Sequence, residues 1–176
     1  AMDYVMAIRK TPIVVNDSRG FYTSRVFATY VREGLALLAE GVAPALIENA
    51  GKMAGMPVGP LGMADEVSID LMYKVGKQTR EDLGDDYVEM PGDDLVRHMV
   101  EDLGRIGKKV GKGFYDYPET GSKHLWPGLG EECPAAAEQP NVEDVKKRLM
   151  FIQSVETARC MEEGVITEKR DADVGS

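Results

Sequence analysis

FYTSRVFATYVREGLALLAEGV, residues Phe21 to Val42, is the stretch from which the fold is read. Val26, Phe27, Tyr30, Val31, Leu35 and Leu38 recur every three or four residues, which puts apolar side chains on one stripe of an α-helix. The polar run Asn16-Asp17-Ser18-Arg19-Gly20 supplies a turn and helix-starting residues, and Gly41 supplies the stop. A helix from Phe21 to Glu40 is expected.

Working outward, the same logic gives more helices. Asp3 to Lys10 has the look of the last turns of a helix, and Thr11-Pro12-Ile13-Val14-Val15 reads as an extended connector. Pro44 suits the first turn of a second helix carrying Leu46, Ile47, Ala50 and Met53 and ending near Gly55. Met56 to Gly62 holds too much Pro and Gly to be helical throughout. A third helix is expected from Met63 to Leu83, with Val67, Leu71 and Val75 on one face, and a fourth from Asp93 to Leu103. The segment 118–140 is rich in loop formers and reads as a linker, after which Asn141 caps a helix to about Glu163. Helices dominate and no sheet is expected.

Sliding the sequence on itself by 123 positions aligns Arg25 with Arg148, Val26 with Leu149, Glu33 with Glu156, Leu38 with Met161, and Glu40-Gly41-Val42 with Glu163-Gly164-Val165. The match spans one whole helix and its stop, which points to an internal duplication. A lone helix cannot bury its own apolar face, so the second copy is expected to pack on the first or on another molecule, as a pseudo-dimer or a dimer.

With 43% hydrophobic and 29% charged residues, the chain has the composition of a folded, water-soluble protein. A net charge of −9 argues against nucleic acid, whose binding needs clustered Lys and Arg. Cys133 and Cys160 form neither a CxxC pair nor a zinc pattern, so no metal is expected and a reducing, cytoplasmic setting fits. No run reaches the roughly 18 to 20 apolar residues of a transmembrane helix.

Taken in order, Thr11-Pro12-Ile13-Val14-Val15-Asn16-Asp17, Gly20-Phe21-Tyr22, Arg25, Glu40-Gly41-Val42, Gly55-Met56-Pro57-Val58-Gly59-Pro60 and Gly111-Lys112-Gly113-Phe114-Tyr115 resemble the C-terminal domain of 3-hydroxyacyl-CoA dehydrogenases. The resemblance implies an all-α fold of the 6-phosphogluconate-dehydrogenase C-terminal-like kind, followed by the truncated start of a second copy. The duplicated helix narrows it to the α-subunits of the multifunctional fatty-acid β-oxidation complex. Residues 1–15 would then be a remnant helix and connector from an NAD-binding domain, 16–117 the helical domain, 118–140 the linker, and 141–176 an incomplete second repeat. The parent enzyme would oxidise the 3-hydroxyl of an acyl-CoA with NAD, using an upstream His held by a Glu. It would also carry an enoyl-CoA hydratase and pair with a thiolase subunit. This chain has no Gly-x-Gly-x-x-Gly after a strand, so NAD is expected on another domain and no catalytic residue or activity is expected here.

Where the family usually places an Asn facing the reacting carbonyl, this chain has Ser24, either a supporting polar group at the substrate or a helix-surface serine. Met56, Pro57, Gly59 and Pro60 are substrate-binding candidates that could wall an acyl pocket, or they form an ordinary loop. Gly107 to Gly113 lacks P-loop spacing and reads as a basic turn, with a weak CoA-phosphate contact as the other option. Asp65, Glu66, Asp70, Asp93 and Asp94 read as surface acids near helix starts rather than paired-carboxylate chemistry. The rival to the dehydrogenase reading is a free-standing helical interaction module without catalysis.

Overall fold

The apolar periods become helices throughout the computed structural model, which describes residues 1–175. In chain order these are α1 (Met2–Ala7), α2 (Thr23–Ala39), α3 (Pro44–Met53), α4 (Pro60–Val67), α5 (Ile69–Leu83), α6 (Asp93–Glu101), α7 (Leu129–Glu132), α8 (Val142–Glu162) and α9 (Lys169–Gly175). Two two-residue strands, β1 (Tyr115–Asp116) and β2 (His124–Leu125), pair antiparallel, a hairpin where no sheet was expected.

The chain divides into two compact units. Among the described residues, one comprises 1–30 and 150–175, the other 31–149. The first has a core of Tyr22, Val26, Cys160, Val165, Ile166 and Ala172, with Ile13, Val15 and Met161 packed against it. The second buries Leu37, Leu38, Ile47, Leu61, Met99 and Phe114, and in it α5 packs on α6 and α3 on α4.

The helix expected from Met63 to Leu83 is two helices. Ser68 adopts φ +92°, its hydroxyl donates to Asp70 Oδ1 (2.5 Å), and the Ile69 amide donates to the Ile106 carbonyl (3.1 Å). A carbonyl thirty-seven residues away thus captures the amide that would have continued the helix, which no local pattern signals. After the break Ile69 is fully buried, while Leu71 and Val75 of the expected apolar face are half exposed.

The stretch expected as a linker is docked in the second unit. β2 pairs with β1, the Trp126 amide donates to the Phe114 carbonyl, and Leu129 and Cys133 are buried. The Arg105 guanidinium lies 4.1 Å above the Trp126 ring, a cation–π contact.

Candidate functional site

Ser24 stands in the first turn of α2, exposed, on the first unit. The turn leading into it is strained. Gly20 takes φ +78° and Phe21 takes φ +49°, a left-handed conformation costly for an aromatic residue, and Phe21 remains 53% exposed. Tyr22, next in sequence, is fully buried, and its hydroxyl donates to the Ala172 carbonyl at 3.0 Å.

Met56, Pro57, Gly59 and Pro60 lie together on the second unit. Glu48, 3% exposed, organises this segment: its Oε1 accepts the Leu61 and Gly62 amides at 2.7 and 3.3 Å, capping the start of α4. Its Oε2 accepts the Tyr115 hydroxyl at 2.6 Å. A side chain at Gly59 would meet the Glu48 carboxylate at 2.5 Å, and Pro60 fills the space beside Gly34 of α2. Gly59 and Pro60 therefore serve internal packing, while Pro57 is exposed and Met56 half-buried.

Asp65 is 1% exposed, which corrects its expected place among surface acids. It accepts the Phe114 amide (2.8 Å), the Tyr115 amide (2.9 Å) and the Tyr117 hydroxyl (3.0 Å), and thereby fixes the Gly-Phe-Tyr turn. Burial pushes its carboxyl up to about 6, against the opposing pull of these donors. Gly113 is required because any side chain there would overlap the Asp65 carboxylate. Sequence reasoning missed Glu48 and Asp65 because an acid on a buried helix face looks like any solvent-facing acid until its donors are known.

Two lysines of the basic turn have carboxylate partners. Lys108 Nζ bonds both Glu66 oxygens at 2.7 Å and Lys109 Nζ bonds Asp70 at 2.6 Å, leaving neither lysine aimed at a phosphate. Asp93 accepts the Tyr87 hydroxyl and the Met90 amide at the start of α6. A groove of about 280 Å³ between α5 and α6 includes Lys77, Arg80 and Arg97, but Arg80 pairs with Glu89 and Arg97 with Asp94. Among the described residues there is no cluster of three His, Cys, Asp or Glu able to hold a metal, and no helix long and apolar enough to cross a membrane.

The residues aligned by the 123-residue shift make reciprocal contacts. In the first unit Arg25 bonds Glu156 at 2.7 Å and Glu163 at 2.5 Å. In the second Arg148 bonds Glu33 at 2.6 Å and Glu40 at 2.5 Å. The helix stops repeat too. Gly164 (φ +70°) offers its carbonyl to the Asn16 side chain, and Gly41 (φ +87°) offers its own to Gln139. Asn16 and Gln139 are themselves 123 positions apart.

Residues 20–117 match the family of the 3-hydroxyacyl-CoA dehydrogenase C-terminal domain, and the chain belongs to that family. Among its relatives are the fatty acid oxidation complex subunit alpha of Shewanella amazonensis, 36% identical over 95% of this chain and 24% of that protein, and that of Shewanella loihica, 36% identical over 95% and 23%. The chain thus spans about a quarter of the length of these relatives. The fold is shared with the dehydrogenase part of multifunctional enzyme 1 from C. elegans (TM-score 0.72, 24% identity, 99% of this chain and 40% of that one). The (S)-3-hydroxybutyryl-CoA dehydrogenase of Ralstonia eutropha is also similar (TM-score 0.58, 30% identity, 67% of this chain and 41% of that one).

Proposed function

We propose that this chain is the substrate-facing and dimerisation region of an NAD-dependent 3-hydroxyacyl-CoA dehydrogenase of fatty-acid β-oxidation. The observation that carries the reading is the turn Gly20 to Arg25, where an exposed left-handed Phe21 and an exposed Ser24 stand at the start of a long helix in a chain of this family. Backbone strain held beside an exposed polar group is a common mark of a ligand-facing site. In its own right, the Met56 to Pro60 segment of the second unit is a candidate acyl contact through Met56 and exposed Pro57, with buried Gly59 and Pro60 holding its backbone rigid over Glu48. In the complete enzyme, a cytoplasmic multifunctional protein with an enoyl-CoA hydratase part and a thiolase partner, the acyl-CoA lies against the Gly20 to Arg25 turn.

NAD does not fit the residues of this chain. In its glycine-rich turn Lys108 and Lys109 are already paired with carboxylates, and the Gly113 position faces Asp65, an anion where a pyrophosphate would need amides. The cofactor belongs to another domain. What this chain contributes is orientation: the Ser24 hydroxyl gives or takes a hydrogen bond at a substrate oxygen, and the α2 start adds its positive dipole end.

The reciprocal contacts of Arg25 and Arg148 support residues 141–176 as the start of a second repeat in a pseudo-dimer. The test is NAD reduction by the complete protein with 3-hydroxybutyryl-CoA and longer 3-hydroxyacyl-CoA substrates. Turnover that falls about fivefold or more in Ser24→Ala is expected, on the scale of one lost hydrogen bond. A complete protein that reduces no NAD with any of them returns the chain to the rival reading, a helical interaction module, for which the half-exposed Leu71, Val75, Phe151 and Val155 would be the contact residues.

A further inference from the structure

Resting on the reading that the Gly20 to Arg25 turn faces the acyl-CoA, we infer that Tyr22 is a positioning residue through which α9 sets the conformation of that turn. A left-handed Phe21 persists only where its surroundings over-determine it. Local contacts supply part of this. The Phe21 amide donates to the Ser18 carbonyl at 3.0 Å, and Gly20 lies close to the Arg25 stem, where an added carbon would stand 3.4 Å from Cγ.

The larger constraint comes from the next residue. Tyr22 is the one side chain between strained Phe21 and the exposed Thr23-Ser24 pair that points into the core, and it is fully buried. Its hydroxyl donates to the Ala172 carbonyl of α9 at 3.0 Å and lies 3.2 Å from Thr157 Oγ1 of α8. Near its end, α9 presses backbone against the same ring. A carbon added at Gly175 would fall 3.3 Å from ring atoms Cδ1 and Cε1 and 2.6 Å from Ile13 Cδ1. The ring is thus held at two places by one helix, at the hydroxyl by Ala172 and on its side by Gly175.

Hydrophobic burial alone would be met by Phe or Leu at this position. The hydroxyl adds direction, because a buried hydrogen bond fixes ring orientation where apolar packing tolerates sliding. Since Tyr22 is covalently adjacent to Phe21 and two residues from Ser24, fixing its ring holds the backbone that carries both exposed side chains. The second repeat, through α9, in this way supports the substrate-facing turn of the first.

The test is steady-state kinetics of the complete dehydrogenase with 3-hydroxybutyryl-CoA and NAD, comparing Tyr22→Phe, Gly175→Ala, Ser24→Ala and Tyr22→Phe/Ser24→Ala, with a thermal melt of each. Tyr22→Phe is expected to lower kcat about fivefold while KM for NAD stays unchanged. The double variant is expected to match Ser24→Ala alone, because Tyr22 acts through the turn. Gly175→Ala is expected to lower kcat likewise and serves where Tyr22→Phe does not fold at the assay temperature. A merely structural Tyr22 would shift the melt and leave the kcat of folded enzyme unchanged. That outcome, or additive losses in the double variant, overturns the inference while leaving the Ser24 reading in place. A kcat untouched by Ser24→Ala removes the reading itself and the inference with it.

Discussion

Asp65 shows how one side chain can hold a motif that looks functional in isolation. Its two oxygens collect the Phe114 and Tyr115 amides and the Tyr117 hydroxyl, so Gly113-Phe114-Tyr115 is a structural turn seated on a buried carboxylate. Because burial raises this carboxyl to about 6, the native state holds its proton more tightly than the unfolded chain, whose Asp titrates near 3.9. The sign follows: the group favours folding most at low pH, and its contribution falls as pH rises from about 4 to about 6, by roughly 3 kcal/mol. Urea denaturation of wild type and Asp65→Asn across this range should show a stability difference that changes by that order. A difference flat with pH would mean that Asp65 is ionised throughout at an ordinary affinity.

Elements are joined by pairings that cross long stretches of chain, and one of them titrates. His98 on α6 bonds Asp102 through Nδ1 at 2.6 Å and Glu132 on α7 through Nε2 at 2.9 Å, tying the 118–140 excursion to α6. The two carboxylates, Asp102 first, raise the imidazole above its ordinary 6.5. Its contribution is therefore fully present below the unfolded value and is lost as pH rises through the higher folded one. An NMR titration of His98 and His124 should place the His98 midpoint above 6.5, and His98→Gln should flatten the pH dependence of stability above 6.5. A His98 midpoint at or below 6.5 would show that the tie does not form in solution. The excursion was unreadable as an element because its anchors, Leu129, Cys133 and the Trp126 ring under Arg105, are spaced without period.

For the whole molecule the reciprocal arginines carry the organisation. In the first unit the start of α2 lies beside the end of α8, and in the second the end of α2 lies beside the start of α8, each joined by an Arg and two Glu. Their exposures differ, so their contributions should too. Arg25 is 18% exposed and its partner Glu156 10%, and Arg25→Ala should cost about 2 kcal/mol by leaving this buried carboxylate only the longer contact with Arg159 at 3.5 Å. Arg148 is 40% exposed, and Arg148→Ala should cost about 1 kcal/mol or less. Both are read from denaturation midpoints, and a larger loss at Arg148 than at Arg25 would contradict this ordering.

The helical class, the limits of α2, α3 and α8 within a few residues, and the alignment of Arg25 with Arg148 are legible in the order of amino acids, because amphipathic period, capping residues and glycine stops are local properties. That order also singles out Ser24 and the Met56 to Pro60 segment by resemblance, though not their surroundings. The break at Ser68 in the helix expected over 63–83, the burial of Glu48 and Asp65, and the left-handed Phe21 next to a buried Tyr22 emerge on folding. Each of these depends on a donor or acceptor tens of residues away: Ile106 for the break, Phe114 and Tyr115 for the buried acids, Ala172 for the turn. A polar group buries where its hydrogen bonds can be satisfied, and which distant groups satisfy them is a property of the folded chain alone.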